Sequence, residues 1–83
     1  MFKATVNVTL RKSILDPKGK ATQHALQDLG LTGIQSTRIG KFIELEVEAA
    51  SKDEAEQMVR TACEKVLANP VMEDFSIHIE SAG

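Results

Sequence analysis

Tryptophan and tyrosine are absent from these 83 residues, and Phe2, Phe42 and Phe75 are the only aromatics. A domain this small buries only roughly 60–65% of the surface its unfolded chain exposes, so its core is thin and burial against another chain is expected. A single cysteine, Cys63, excludes an internal disulfide framework and a CxxC redox or zinc site, and fits a reducing compartment. No apolar run approaches the roughly 18 residues of a membrane helix, and MFKATVNVTLRK alternates apolar with polar residues where a signal peptide would be continuously apolar. A cytoplasmic protein of one domain, spanning residues 1–83 and having no membrane contact, is therefore expected.

What is present is organised by period. Phe2, Ala4, Val6, Val8 and Leu10 fall on one side of a strand over residues 2–10, with Lys3, Thr5, Asn7 and Thr9 on the other. Asp16 is a good helix N-cap and Pro17 suits the first helical position, where no amide hydrogen is needed. Ala21, Ala25, Leu26 and Leu29 then recur at helical spacing, closed by Gly30. From Ile34 to Val47 an extended region is interrupted at RIGK, where Gly40 permits a positive φ and hence a turn or sharp bend, giving a short strand, a turn and a long strand. Ile43, Leu45 and Val47 face inward and Glu44, Glu46 and Glu48 outward. Ser51 or Asp53 caps a second helix with the stripe Ala55, Met58, Val59, Ala62, Cys63, Val66 and Leu67, ending before Pro70. A last strand over 75–80 turns Phe75, Ile77 and Ile79 inward.

This pattern predicts an α+β fold: a two-layer ferredoxin-like sandwich in the order β-α-β-β-α-β, with a short second strand. Two helices lie on one face of a three- to four-stranded antiparallel sheet. Its topology brings the loop Arg11–Asp16, the RIGK segment and NPVMED to one end.

Charge is divided along the chain. Residues 1–41 carry seven Lys and Arg against Asp16 and Asp28, whereas residues 42–83 are strongly acidic, within a net charge of −2. Such an asymmetry suits oriented docking. Lys18 and Lys20 at the helix start, with Arg38 and Lys41 on the neighbouring turn, form the one cationic cluster. An anion could use the free amides there, but Asp16 as cap occupies them and repels it, and DPKGK lacks the spacing of a nucleotide P-loop. Partner docking is the expected use of Lys18, Lys20, Arg38 and Lys41. On the open sheet face, Thr5, Asn7 and Thr9 suit close packing against another copy, while outward carboxylates and the lack of stacking aromatics argue against nucleic acid.

No catalytic constellation emerges. His24 and His78 have no visible partner, Cys63 sits in an apolar stripe where a thiol stays protonated, and the Glu44, Glu46, Glu48 row lacks interleaved histidine for a metal. No catalytic, cofactor-binding or metal residue is expected.

ILDPKGKATQHALQDLG, RIGKFIEL and LANPVMEDF, in that order and across nearly the whole chain, resemble the PurS family, small subunits of phosphoribosylformylglycinamidine (FGAM) synthase, EC 6.3.5.3. Lys18 departs from the resemblance, standing where Gln or Glu is common. The resemblance implies a subunit of an ATP-dependent C–N ligase complex that converts formylglycinamide ribonucleotide, glutamine and ATP to FGAM in purine biosynthesis. It implies that ATP and Mg are used by a synthetase subunit (PurL), that a glutaminase subunit (PurQ) releases ammonia, and that the small subunit self-associates and joins the two. The same order of elements also occurs in small-molecule-binding regulatory domains of the ACT type, which is the alternative. An enzyme using His24 or His78 would be a third reading.

Overall fold

The computed structural model describes residues 1–82. Strand β1, Phe2–Leu10, is central, with β2, Lys41–Val47, on one side and β3, Glu73–Ser81, on the other, both antiparallel to it. The register sets Val6 between Ile43 and Ile77, and Ala4 between Leu45 and Ile79. Because side chains alternate across a pleated strand, this places every inward residue of all three strands on one face.

Helix α2, Lys52–Ala62, covers that face and continues as a wider π-helical segment, Cys63–Leu67. Its start is fixed by Ser51, whose hydroxyl accepts from the Glu54 amide at 3.1 Å. Ala55, Val59 and Cys63 from this helix and its extension are fully buried against Ala4, Val6 and Val8, with Ala68 and Ile79 completing the core. Arg60 lies over the Phe75 ring, 5.9 Å from its centroid, and closes one edge. Apart from Ile79 the buried core is built of Ala, Val and Cys, with the larger Phe2, Leu45 and Phe75 only partly buried against it.

The α+β class and its two layers hold, in the three-stranded form. Residues 34–40 form no strand, so the short second strand is absent. The turn expected at Gly40 is absent as well, and the freedom that glycine has there goes unused: among the described residues only Gly30, at φ +88°, has positive φ. Gly40 is small because a Cβ there would stand 2.3 Å from the Val8 carbonyl oxygen. The chain runs into β2 without a turn.

Helix α1, Pro17–Asp28, departs furthest. Gly19 is its only buried residue, Leu29 at its end is 76% exposed, and it is α2 that packs on β1 and β3. Instead of covering the sheet, α1 lies along residues 34–39, which run back antiparallel to it. Gln23 donates to the Ile34 carbonyl and accepts from the Thr37 hydroxyl, and the Asp16 carboxylate accepts from the Ile39 amide at 2.9 Å. The physical reason is in the stripe, half of it alanine, which offers little area to hold a helix on the sheet. With no turn at Gly40, the returning segment prolongs the line of β2 and carries α1 with it. The molecule consequently measures 51 × 29 × 14 Å with a radius of gyration of 16.2 Å, against about 12 Å for a compact domain of this length. No helix among the described residues is long and apolar enough to cross a membrane.

Candidate functional site: the basic end and the open sheet face

Three loops meet at one end of the sheet, as the topology predicts. The Arg11 amide donates to the Met72 carbonyl at 2.9 Å and its guanidinium to the Pro70 carbonyl. Arg38 donates to the Leu10 carbonyl, and Lys41 to the Leu67 carbonyl at 3.0 Å. These contacts stitch the two strand ends and the α2 terminus together.

Asp16 organises this junction. One carboxylate oxygen accepts from the Gly19 amide at 3.0 Å, capping α1, and the other from Ile39. The Ile39 and then the Gly19 hydrogen bond hold its carboxyl below the usual range, since both favour the ionised form. The cap is thus also the clasp between α1 and the segment that follows it. It fills the amides an anion would use.

Lys18, Lys20, Arg38 and Lys41 all lie exposed at this junction but on two sides of it. Lys18 and Lys41 border a notch with Asp16, Ile39 and Glu73, while Lys20 and Arg38 border a groove with Lys12, Gln23 and His24. None of the four is ion-paired among the described residues. The neighbouring acids are engaged elsewhere: Asp74 pairs with Arg11 at 3.6 Å, and Glu73 accepts from the Asn69 amide at 2.7 Å. Asp16 and Glu73 keep their own negative charge beside these cations, so positive charge at this end is only partly offset.

The face opposite α2 is bare. Thr5 and Thr9 are half-buried and Asn7 is exposed along its centre. The β2 side adds Phe42, Glu44 and Glu46, and the β3 side Asp74, Ser76, His78 and Glu80. Lys3 pairs with Glu44 at 3.4 Å and His78 with Glu80 at 2.9 Å, all at exposed positions, where such pairs contribute little. Phe42, 61% exposed, was missed by sequence reasoning. Its parity with Glu44 and Glu46 is the signal that places it outward.

The remaining chemical candidates are scattered. His24 is exposed on α1, His78 faces out from β3, and Cys63 is completely buried in the core, where desolvation pushes its thiol up despite the opposing pull of Arg60. Nothing brings the three together. Among the described residues no group of three or more metal-ligating side chains converges.

Comparison with known proteins gives a consistent result over the whole chain. The family model PurS, phosphoribosylformylglycinamidine (FGAM) synthase, matches residues 3–81. Phosphoribosylformylglycinamidine synthase subunit PurS of Bacillus subtilis is 44% identical over 80 residues, covering 96% of this chain and 94% of that protein. Among solved structures, Methanocaldococcus jannaschii PurS, described as one of the subunits of formylglycinamide ribonucleotide amidotransferase in the purine biosynthetic pathway, superposes with a TM-score of 0.91 at 35% identity over the full length of both chains. A chain of the PurLQS structure from Thermotoga maritima superposes with a TM-score of 0.88 at 35% identity, covering 95% of this chain and 96% of that one.

Proposed function

The chain belongs to the PurS family of FGAM synthase subunits, and we propose that it acts there as a structural subunit, holding a glutaminase and a synthetase together so that ammonia passes between them. The observation that carries this reading is the near-full-length likeness to a chain of the PurLQS assembly, joined to a surface with charge for docking and no converging catalytic groups among the described residues. The complex would use glutamine and ATP to convert formylglycinamide ribonucleotide to FGAM in the cytoplasm. ATP and Mg belong to the synthetase in this scheme, and the small chain binds no cofactor of its own. An ACT-type ligand sensor is disfavoured by the family match over residues 3–81.

Within that scheme the chain's residues position partners. Lys18, Lys20, Arg38 and Lys41 present unpaired cations around the start of α1, and such patches chiefly steer and orient a partner. The chain also self-associates, for which the row Thr5, Asn7, Thr9 and the projecting α1 are the two candidate surfaces.

Docking separates from chemistry in one experiment. The variant Arg38→Glu, Lys41→Glu is expected to fold and self-associate, to bind synthetase and glutaminase more weakly in co-sedimentation, and to lower glutamine-dependent activity while ammonia-dependent activity of the synthetase survives. Raising salt should narrow the gap from wild type, because exposed charges lose reach beyond about 8 Å at physiological ionic strength. Unchanged affinity at low salt would leave the basic end without a docking role.

A further inference from the structure

Along one side of α1 runs an open groove of about 850 Å³, within the about 300–1,000 Å³ typical of small-molecule sites. Three segments wall it. The loop after β1 contributes Lys12 and Ser13, α1 contributes Lys20 and His24, and the segment returning along the helix contributes Ser36 and Arg38. These walls are already tied to one another. Gln23 on α1 donates to the Ile34 carbonyl and accepts from the Thr37 hydroxyl, and Arg38 reaches the Leu10 carbonyl at the end of β1. Asp16 joins the Gly19 and Ile39 amides. A groove held in shape by such contacts costs little to order when a ligand enters.

Its lining is rich in donors. Lys12, Lys20 and Arg38 have no ion-pair partner among the described residues. Asp16 is the one acid on the groove, and both its oxygens are already engaged. Three cations from three segments thus face a single committed carboxylate. Arg38 gives one N–H to Leu10 and keeps the rest of its fork. The residues of the returning wall also hold unused main-chain donors, since the amides of Ser36, Thr37 and Arg38 find no partner among the described residues. The amides at the start of α1 play no part, because Asp16 fills them.

A carboxylate presents two oxygens in one plane, which a single guanidinium fork satisfies. A phosphate monoester presents three terminal oxygens pointing apart and carries nearly two charges, which suits separate cations converging from different walls. Ile14 and Leu15, the latter 67% exposed, line the remaining side and offer apolar contact to an organic group. We propose that this groove binds a small phosphate ester, with Lys12, Lys20 and Arg38 on the phosphate oxygens and the organic part against Ile14 and Leu15. The site adds to the docking role and does not depend on it. Occupancy offsets Lys20 and Arg38 and leaves Lys18 and Lys41, on the other side of the junction, to a partner.

Adenosine monophosphate, inorganic phosphate and adenosine, titrated separately into the purified chain at low salt and followed by amide NMR shifts, test this. The monophosphate should bind saturably at about 1 mM or below and shift the Ser36, Thr37 and Arg38 amides. Inorganic phosphate should bind more weakly at the same amides, and adenosine should not move them. Lys12→Ala with Lys20→Ala should keep the circular dichroism spectrum and weaken binding at least about 10-fold, the scale of losing a charge-assisted hydrogen bond. Lys52→Ala with Lys65→Ala removes the same charge from α2 and its extension and should leave binding unchanged. Equal affinity for inorganic phosphate overturns the ester and its contact with Ile14 and Leu15. Absence of saturable binding, equal weakening in the two double variants, or a glutamate-rich peptide moving these amides where the monophosphate does not, overturns the site.

Discussion

The two helices of this protein begin alike and end differently. Each has a side-chain cap three residues ahead of the amide it satisfies, Asp16 for α1 and Ser51 for α2, and each carries apolar residues at helical spacing. Yet α2 buries Ala55, Val59 and, in its extension, Cys63 under the sheet, while α1 buries only Gly19. Local signals determine that a helix forms; what it packs against depends on whether its stripe offers enough area to hold it. Here the body of the molecule is self-sufficient and the arm is not, which is the arrangement expected of a small subunit whose remaining surface is completed by other chains.

The sharpest way to break this comparison is to place the same charge on both helices. Val59→Asp puts an unpaired carboxylate where the side chain is 1% exposed, a change costing several kcal/mol against a total stability of about 5–15 kcal/mol. The variant should lose its folded circular dichroism spectrum. Leu29→Asp, on a side chain 76% exposed, should keep that spectrum, its effect confined to association. Equal loss of structure in the two would mean that α1 is part of the body.

A smaller contrast lies in two glycines held close to backbone. Gly40→Ala drives a Cβ against the Val8 carbonyl of the central strand and should destabilise the whole domain by about 1–3 kcal/mol, as overpacking does, visible as a lower urea midpoint. Gly19→Ala drives a Cβ against the Thr37 carbonyl, where the arm can part without disturbing the core. Its midpoint should barely move, while hydrogen exchange at Ile39 quickens. A Gly19 variant as destabilised as the Gly40 one would remove the distinction between arm and body.

The smallest effect is set by pH. Because the Asp16 carboxyl is held below its ordinary value, its contribution is fully present above the unfolded value of about 3.9 and is lost as pH falls through the lower, folded value. Ser51 has no ionisable side chain, so α2 should keep its cap over the same range. Amide exchange followed by NMR, corrected for its intrinsic pH dependence, should show Gly19 and Ile39 losing protection on acidification before Glu54 does. In Asp16→Asn that order should disappear. Simultaneous loss of protection at both caps in wild type would contradict the clasp.

Much of this was readable in the residues. Period-two alternation located β1, β2 and β3, with β3 running to Glu73 and Ser81 beyond the expected 75–80, and Asp16-Pro17 and Ser51 marked the helix starts. The convergence of the three loops followed from topology alone. The standing-off of α1 was not legible, because a helical stripe reports which side is apolar and not what will cover it. Residues 34–38 have strand-like composition but lie beyond the end of β1 in the register of β2, so the ladder they would need is missing. Gly40 was ambiguous in principle: glycine serves either a positive φ or a close approach, and only the position of the Val8 carbonyl decides. Of the proposed contact residues, the basic cluster gathers at one end as topology required, and the outward Glu44 and Glu46 followed from alternation, whereas the register was needed to set Glu44 directly beside Thr5 and Glu46 beside Lys3.

The central claim is that this chain acts by joining partners and not by performing chemistry. It is tested most directly by reconstituting FGAM synthesis from purified synthetase and glutaminase, with and without this protein, using glutamine and then ammonia as the nitrogen source. The account predicts that omitting the chain abolishes most of the glutamine-dependent rate and leaves the ammonia-dependent rate nearly intact. Equal glutamine-dependent rates with and without the chain would contradict it.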